Sequence, residues 1–159
     1  MLVFLIGFMG AGKTTLGKAV AAQLGWYFFD LDKEIERHSG CSVPQLFADD
    51  GEAAFRKMEQ QVLHHFVEQF QKQPHTEESA IIACGGGTPC FRHNLAFMKA
   101  NGFVIYLEVT PEILCERLLR THLEERPVLS WWKPEQLLEN IRNLLDKRRP
   151  IYEMAHWKC

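Results

Sequence analysis

A three-layer α/β/α fold around a mostly parallel sheet of four to five strands is the class this sequence predicts, on three observations. Short, wholly apolar runs alternate with segments of helical periodicity, and the first run passes through a glycine-rich turn directly into a helix. Helices of that length between strands demand crossover connections, which set the strands parallel with helices on both faces. The 159 residues suit a single domain able to bury its own core without disulfides or structural metal.

Residues 2–6 are apolar throughout, as a strand covered on both faces requires, and residues 14–24 form the helix after it. Residues 27–30 are a second strand, 33–38 a helix with Asp32 as its candidate cap, and 43–47 a short helix. Phe55, Met58, Val62, Phe66 and Phe70 then recur at helical spacing, which predicts one long amphipathic helix over residues 52–70. Residues 80–84 are a third strand ending in Gly85-Gly86-Gly87, residues 91–100 a helix, and 103–107 a fourth strand. Pro111 opens the next helix, as proline at a first turn does, and Leu137, Leu138, Ile141, Leu144 and Leu145 mark the last one. The loop-like stretches are 71–79 and 121–134.

An apolar fraction of 47% and a charged fraction of 24% are those of a globular domain. The net charge of -2, with both signs interspersed, supplies no global field for nucleic acid or an anionic membrane, so any anion recognition must be local. No apolar run approaches the roughly 18 residues of a membrane span, and the apolar opening lacks the basic flank of a signal peptide. Five cysteines without a CxxC pair predict reduced thiols and a cytoplasmic setting, and seven histidines without metal-ligand spacing predict no protein zinc site. Cys84 ends an apolar strand and reads as a buried thiol, not a nucleophile.

Residues 7–14 spell G-F-M-G-A-G-K-T, a match to G-x-x-x-x-G-K-[ST] placed between a buried strand and a helix, where its mechanism needs it. The backbone N–H groups of Gly10, Ala11 and Gly12 can fold inward around a phosphate at the positive end of the following helix. Lys13 reaches the β and γ oxygens, Thr14 offers a hydroxyl to Mg²⁺, and Thr15 can bond the next phosphate inward. ATP with Mg²⁺ is therefore the expected nucleotide, although the motif alone does not distinguish kinase from ATPase or GTPase. Asp30 and Asp32 follow the second strand at the same sheet edge, and alternation in an extended segment puts them on one side. Such a pair can divide its labour, one carboxylate holding the water shell of Mg²⁺ and the other accepting a hydrogen bond from an attacking hydroxyl.

In order along the chain, G-F-M-G-A-G-K-T-T, F-F-D-L-D-K-E-I-E, F-A-D-D-G-E-A-A-F-R, C-G-G-G, R-P-V-L and K-R-R-P-I-Y resemble the shikimate kinases, from Leu2 to about Ala155. The resemblance implies a doubly wound sheet of the nucleoside-monophosphate-kinase type in strand order 2-3-1-4-5. It also implies a substrate-binding helical segment at about residues 32–61 and a lid at about 118–133. The implied activity is ATP-dependent phosphorylation of the 3-hydroxyl of shikimate, with no nucleic-acid or membrane partner. By the same register Asp32 holds the reacting hydroxyl and acts as base, and Asp30 organises Mg²⁺ through water. Arg56 and Arg148 grip the substrate carboxylate, a task for which two planar guanidinium forks are suited and lysine is not. Gly85, Gly86 and Gly87 let the backbone approach the substrate ring, and Arg126 swings with the lid onto the transferred phosphoryl group. Arg120 resembles the arginine beside adenine, with Arg117 competing for that place.

After K-R-R-P-I-Y the family continues into a fifth strand and a closing helix, whereas this chain runs to Ala155-His-Trp-Lys-Cys159. The expectation is a missing or shortened last strand and helix, and a monomer unless an open edge on the fourth strand is sealed by association. Two other readings remain open at this point: a gluconate or other small-metabolite kinase on the same scaffold, and a nucleotide-binding module without turnover.

Overall fold

Five parallel strands stand in the order β2-β3-β1-β4-β5 in the computed structural model, which describes residues 1–72, 78–120 and 132–159. They are β1 (Leu2–Ile6), β2 (Tyr27–Asp30), β3 (Ala80–Ala83), β4 (Phe103–Tyr106) and β5 (Trp157–Lys158). The helices are α1 (Lys13–Leu24), α2 (Leu31–Ser39), α3 (Val43–Lys72), α4 (Asn94–Asn101), α5 (Pro111–Leu119) and α6 (Leu137–Tyr152). Both the parallel arrangement and the order are those expected.

β1 is central, pairing with β3 from Leu2↔Ala80 to Leu5↔Ala83 and with β4 from Val3↔Phe103 to Ile6↔Tyr106. Its alternation divides the core in two. Val3 and Leu5, with Ile81 of β3, pack on Ala21 of α1, while Leu2, Phe4 and Ile6 face a larger cluster built with α2 to α6. Because apolar side chains leave β1 on both faces, the run 2–6 carries no polar residue.

Two local outcomes differ from expectation, each for an identifiable reason. α2 begins at Leu31, not 33, because the Asp30 side chain accepts a hydrogen bond from the Lys33 N–H (3.4 Å); Asp30 is the cap and Asp32 lies in the first turn. α4 starts at Asn94 because Arg92 and His93 hold left-handed backbone (φ 50° and 58°) after a 3₁₀ turn at Thr88–Cys90. Of the expected alternatives, a missing or a shortened last strand, the shortened one is found: β5 is two residues paired in parallel with β4 (Ile105↔Trp157, Tyr106↔Lys158). The two helices expected at 43–47 and 52–70 form as arms of α3, broken at Gly51 (φ 79°, ψ 171°).

Turns following the carboxyl ends of β1, β2 and β3 meet at one rim, where an open α/β sheet holds its ligands. Most of the expected lid, including Arg126, lies outside the described residues. No helix among the described residues is long and apolar enough to cross a membrane.

Candidate active site

A cleft of about 1270 Å³ opens at this rim, walled on one side by the loop from Met9 to Thr15 and on the other by Arg56, Gly85 to Gly87 and Arg148. The loop is shaped by its glycines: Gly12 caps α1 at φ 96°, ψ 15°, a left-handed conformation in which a side chain would be strained. Buried Lys13 donates from Nζ to the carbonyls of Gly7 (2.8 Å) and Phe8 (2.9 Å), which fold the loop around its ammonium group. Next to it the Thr14 hydroxyl donates to Asp30 Oδ2 (2.7 Å), and exposed Thr15 lines the same wall.

Asp30 and Asp32 both reach the cleft, as expected, but through a helix start and not through strand alternation. Burial, then the negative charges of Asp30 and Glu59, push the Asp32 carboxyl up to about 6, and the ammonium of Lys13 opposes them. Cys84 is buried behind the glycine turn, and that burial holds its thiol in the neutral form.

The far wall is cationic and tightly built. Arg56 of α3 is 6% exposed and donates from Nη1 to Glu59 Oε2 (2.9 Å), while its Nε and Nη2 share Glu52 Oε1 (3.3 and 3.2 Å). Its guanidinium lies 4.3 Å from the centroid of the Phe91 ring, a contact that restrains the plane of the fork. Of five N–H donors, two remain without a partner among the described residues. Arg148 of α6 is 7% exposed, and its Nη1 has no hydrogen-bond partner among the described residues.

Both arginines press on the glycine turn. Arg148 Nη1 lies 3.3 Å from the place of a Cβ on Gly86, and the Arg56 guanidinium occupies the place of a Cβ on Gly87. A side chain at Gly87 would displace the Arg56 guanidinium, and one at Gly86 would crowd Arg148. Two positive forks thus line the cleft opposite the phosphate-type loop, and an acid of raised pKa lines the same cleft. That arrangement can bind a carboxylate at one end, a polyphosphate at the other, and accept a proton from a hydroxyl in the middle.

Sequence reasoning missed Glu59, which is wholly buried and joins Arg56 to the Thr88 hydroxyl (2.6 Å to Oε1). Its signal was its place three residues after Arg56 on one helix face. Arg120 points to solvent and pairs with Glu116, away from the cleft, whereas Arg117 donates from Nη1 to the carbonyls of Gly10 and Ala11 (both 3.2 Å). Of the two competing arginines, Arg117 is therefore the one on the loop.

Arg56→Ala leaves Glu59 buried without its cation, so an expected destabilisation of about 3–5 kcal/mol follows in chemical unfolding. The double variant Arg56→Ala/Glu59→Gln should recover part of that loss; no recovery would mean the pair is not the source.

The model of the shikimate kinase family matches residues 9–159. The shikimate kinase of Bacteroides fragilis is 43% identical over 155 residues, covering 98% of this chain and 82% of that protein. The crystal structure of the enzyme from Bacteroides thetaiotaomicron superimposes with a TM-score of 0.87 at 40% identity, over 99% of this chain and 85% of that one. The Acinetobacter baumannii enzyme in complex with shikimate does so with a TM-score of 0.86 at 36% identity, over 99% and 82%. Sheet order, phosphate-type loop and whole-length sequence identity agree, and the chain belongs to the shikimate kinase family.

Proposed function

We propose that this protein transfers the γ-phosphoryl group of ATP to the 3-hydroxyl of shikimate. The observation that carries the reading is Arg148 Nη1, a buried cationic donor without a partner among the described residues, set beside Arg56 and across the cleft from Lys13. A buried charge with no anionic partner among the described residues is costly, and a ligand that supplies the anion would account for it.

Shikimate's carboxylate would sit between the Arg56 and Arg148 forks, with Gly85, Gly86 and Gly87 against its ring. Lys13 would exchange the carbonyls of Gly7 and Phe8 for β and γ oxygens, while Gly10, Ala11 and Gly12 present backbone N–H groups and Thr15 a hydroxyl to the other phosphates. Asp32 would orient the 3-hydroxyl and take its proton as the new O–P bond forms and the bond to the leaving ADP oxygen breaks. The helical segment at about residues 32–61 would supply both Asp32 and Arg56. Arg126, assigned by sequence, would meet the moving phosphoryl group.

A hydroxyl and a carboxylate in contact at the loop mouth, Thr14 and Asp30, are hard oxygen donors of the kind Mg²⁺ prefers, and their small number suits an ion that keeps several waters. Thr14 would bind it directly and Asp30 through water. The ion supplies neutralisation of phosphate charge when bound.

A coupled assay of ADP release at saturating ATP should show shikimate-dependent turnover of about 1–100 per second. Turnover on gluconate but not shikimate would favour the other small-metabolite reading. Nucleotide binding with no turnover on any acceptor would leave only a binding module.

A further inference from the structure

The oxygens of three side chains converge beside Gly85. A Cβ there would stand 3.0 Å from Thr88 Oγ1, 3.1 Å from Asp32 Oδ1 and 3.2 Å from Glu59 Oε1. Thr88 is fully buried, and its hydroxyl donates to Glu59 Oε1 while Glu59 Oε2 accepts from Arg56. Thr88 is itself held firmly: its N–H donates to the Gly85 carbonyl (3.1 Å), and its own carbonyl accepts from Asn94 Nδ2 (3.0 Å). A chain of hydrogen bonds therefore runs from α4 through Thr88 and Glu59 to the guanidinium on the glycine turn.

We infer that Thr88 is a positioning residue for the acceptor's carboxylate site, acting through Glu59 on Arg56. The reason is one of competition for donors. A buried glutamate facing an arginine gains most by taking the guanidinium with both oxygens, and that fork-on-fork pairing would consume the N–H groups an incoming carboxylate needs. By occupying Oε1, the Thr88 hydroxyl restricts Glu59 to one Arg56 donor and fixes the direction of the rest. Without it Oε1 would be a buried acceptor lacking a partner, and rotation onto Arg56 would satisfy it at the expense of the ligand.

This inference rests on the functional reading above, and the test separates the two. Steady-state kinetics of the full chain would be measured with shikimate and ATP for wild type, Thr88→Val and Thr88→Ser. Thr88→Val should raise KM for shikimate about tenfold or more, with KM for ATP and kcat moved by less than about threefold, because one hydrogen bond to a charged group is lost at the acceptor side only. Thr88→Ser, which keeps the hydroxyl, should return KM for shikimate to within about threefold of wild type. Should Thr88→Val not fold, Thr88→Ala replaces it, since alanine and serine lack the same methyl and differ by the hydroxyl alone. A Thr88→Ala that folds should show the same raised KM; one that fails to fold while Thr88→Ser folds would overturn the proposal, because the hydroxyl would then serve the fold and not the site. Equal KM values for shikimate across wild type and variants would also overturn it, as would loss of ATP and shikimate affinity together. Absence of shikimate turnover in the wild type would instead sink the functional reading.

Discussion

Asp32→Asn is expected to lower kcat for shikimate phosphorylation by about 100- to 10,000-fold, the usual worth of a positioned proton acceptor, while KM for ATP changes little. The substitution keeps shape and removes only the basic oxygen. Because burial and the charges of Asp30 and Glu59 raise this carboxyl to about 6, wild-type kcat/KM should fall as pH drops through that value, where the acid becomes protonated and can no longer accept. The variant's residual activity should lack that acid limb. Stability should move in the opposite direction. The folded state holds the Asp32 proton more tightly than the unfolded chain, whose value is 3.8, so ionisation at higher pH costs stability that is fully lost above about 6. Asn carries no such cost, and the variant should melt a few degrees higher than wild type above neutral pH, the difference fading as pH falls from about 6 to 3.8. An unchanged kcat would remove Asp32 from the chemistry.

The second large effect is expected at Arg148. Arg148→Ala should raise KM for shikimate about 100-fold, as removal of one member of a buried charge-assisted pair does, with KM for ATP near wild type. Unlike Arg56, whose charge is balanced by Glu52 and Glu59, Arg148 presents an Nη1 with no partner among the described residues. Its loss in the free protein should thus leave the melting temperature unchanged or raise it, where Arg56→Ala lowers it. On this reading the two arginines would serve one anion yet should separate cleanly in thermal unfolding. A KM for shikimate unaltered in Arg148→Ala would show that the carboxylate binds elsewhere.

The phosphate-type loop was legible because its chemistry is written in contiguous residues and depends mainly on backbone: Gly12 must turn left-handed and Lys13 must follow it. Asp30 and Asp32 were legible as residues but not as geometry. Asp30 both ends β2 and caps α2, and the cap rests on a hydrogen bond from the Lys33 N–H, which alternation does not encode. Arg117 lies on α5 and Arg120 caps its end three residues later, so both fit one helical pattern, and packing against the loop alone distinguishes Arg117. β5 has two residues, too few for any periodic signal, and exists because β4 offers it an edge.

Glu59 marks the boundary between what a sequence carries and what folding adds. An acid on an amphipathic helix is ordinarily solvated, and local pattern assigned this one no role. Its burial arises because the arm of α3 after Gly51 lies against the turn that follows β3, which brings Thr88 to one of its oxygens while Arg56 of the same helix holds the other. Sequence by itself determined the α/β class, the nucleotide loop and the identity of the two acids, since these depend on periodicity and local backbone chemistry. Tertiary structure alone decided that Arg148 keeps an Nη1 without a partner among the described residues and that Asp32 is desolvated, since burial and charge pairing belong to elements distant along the chain.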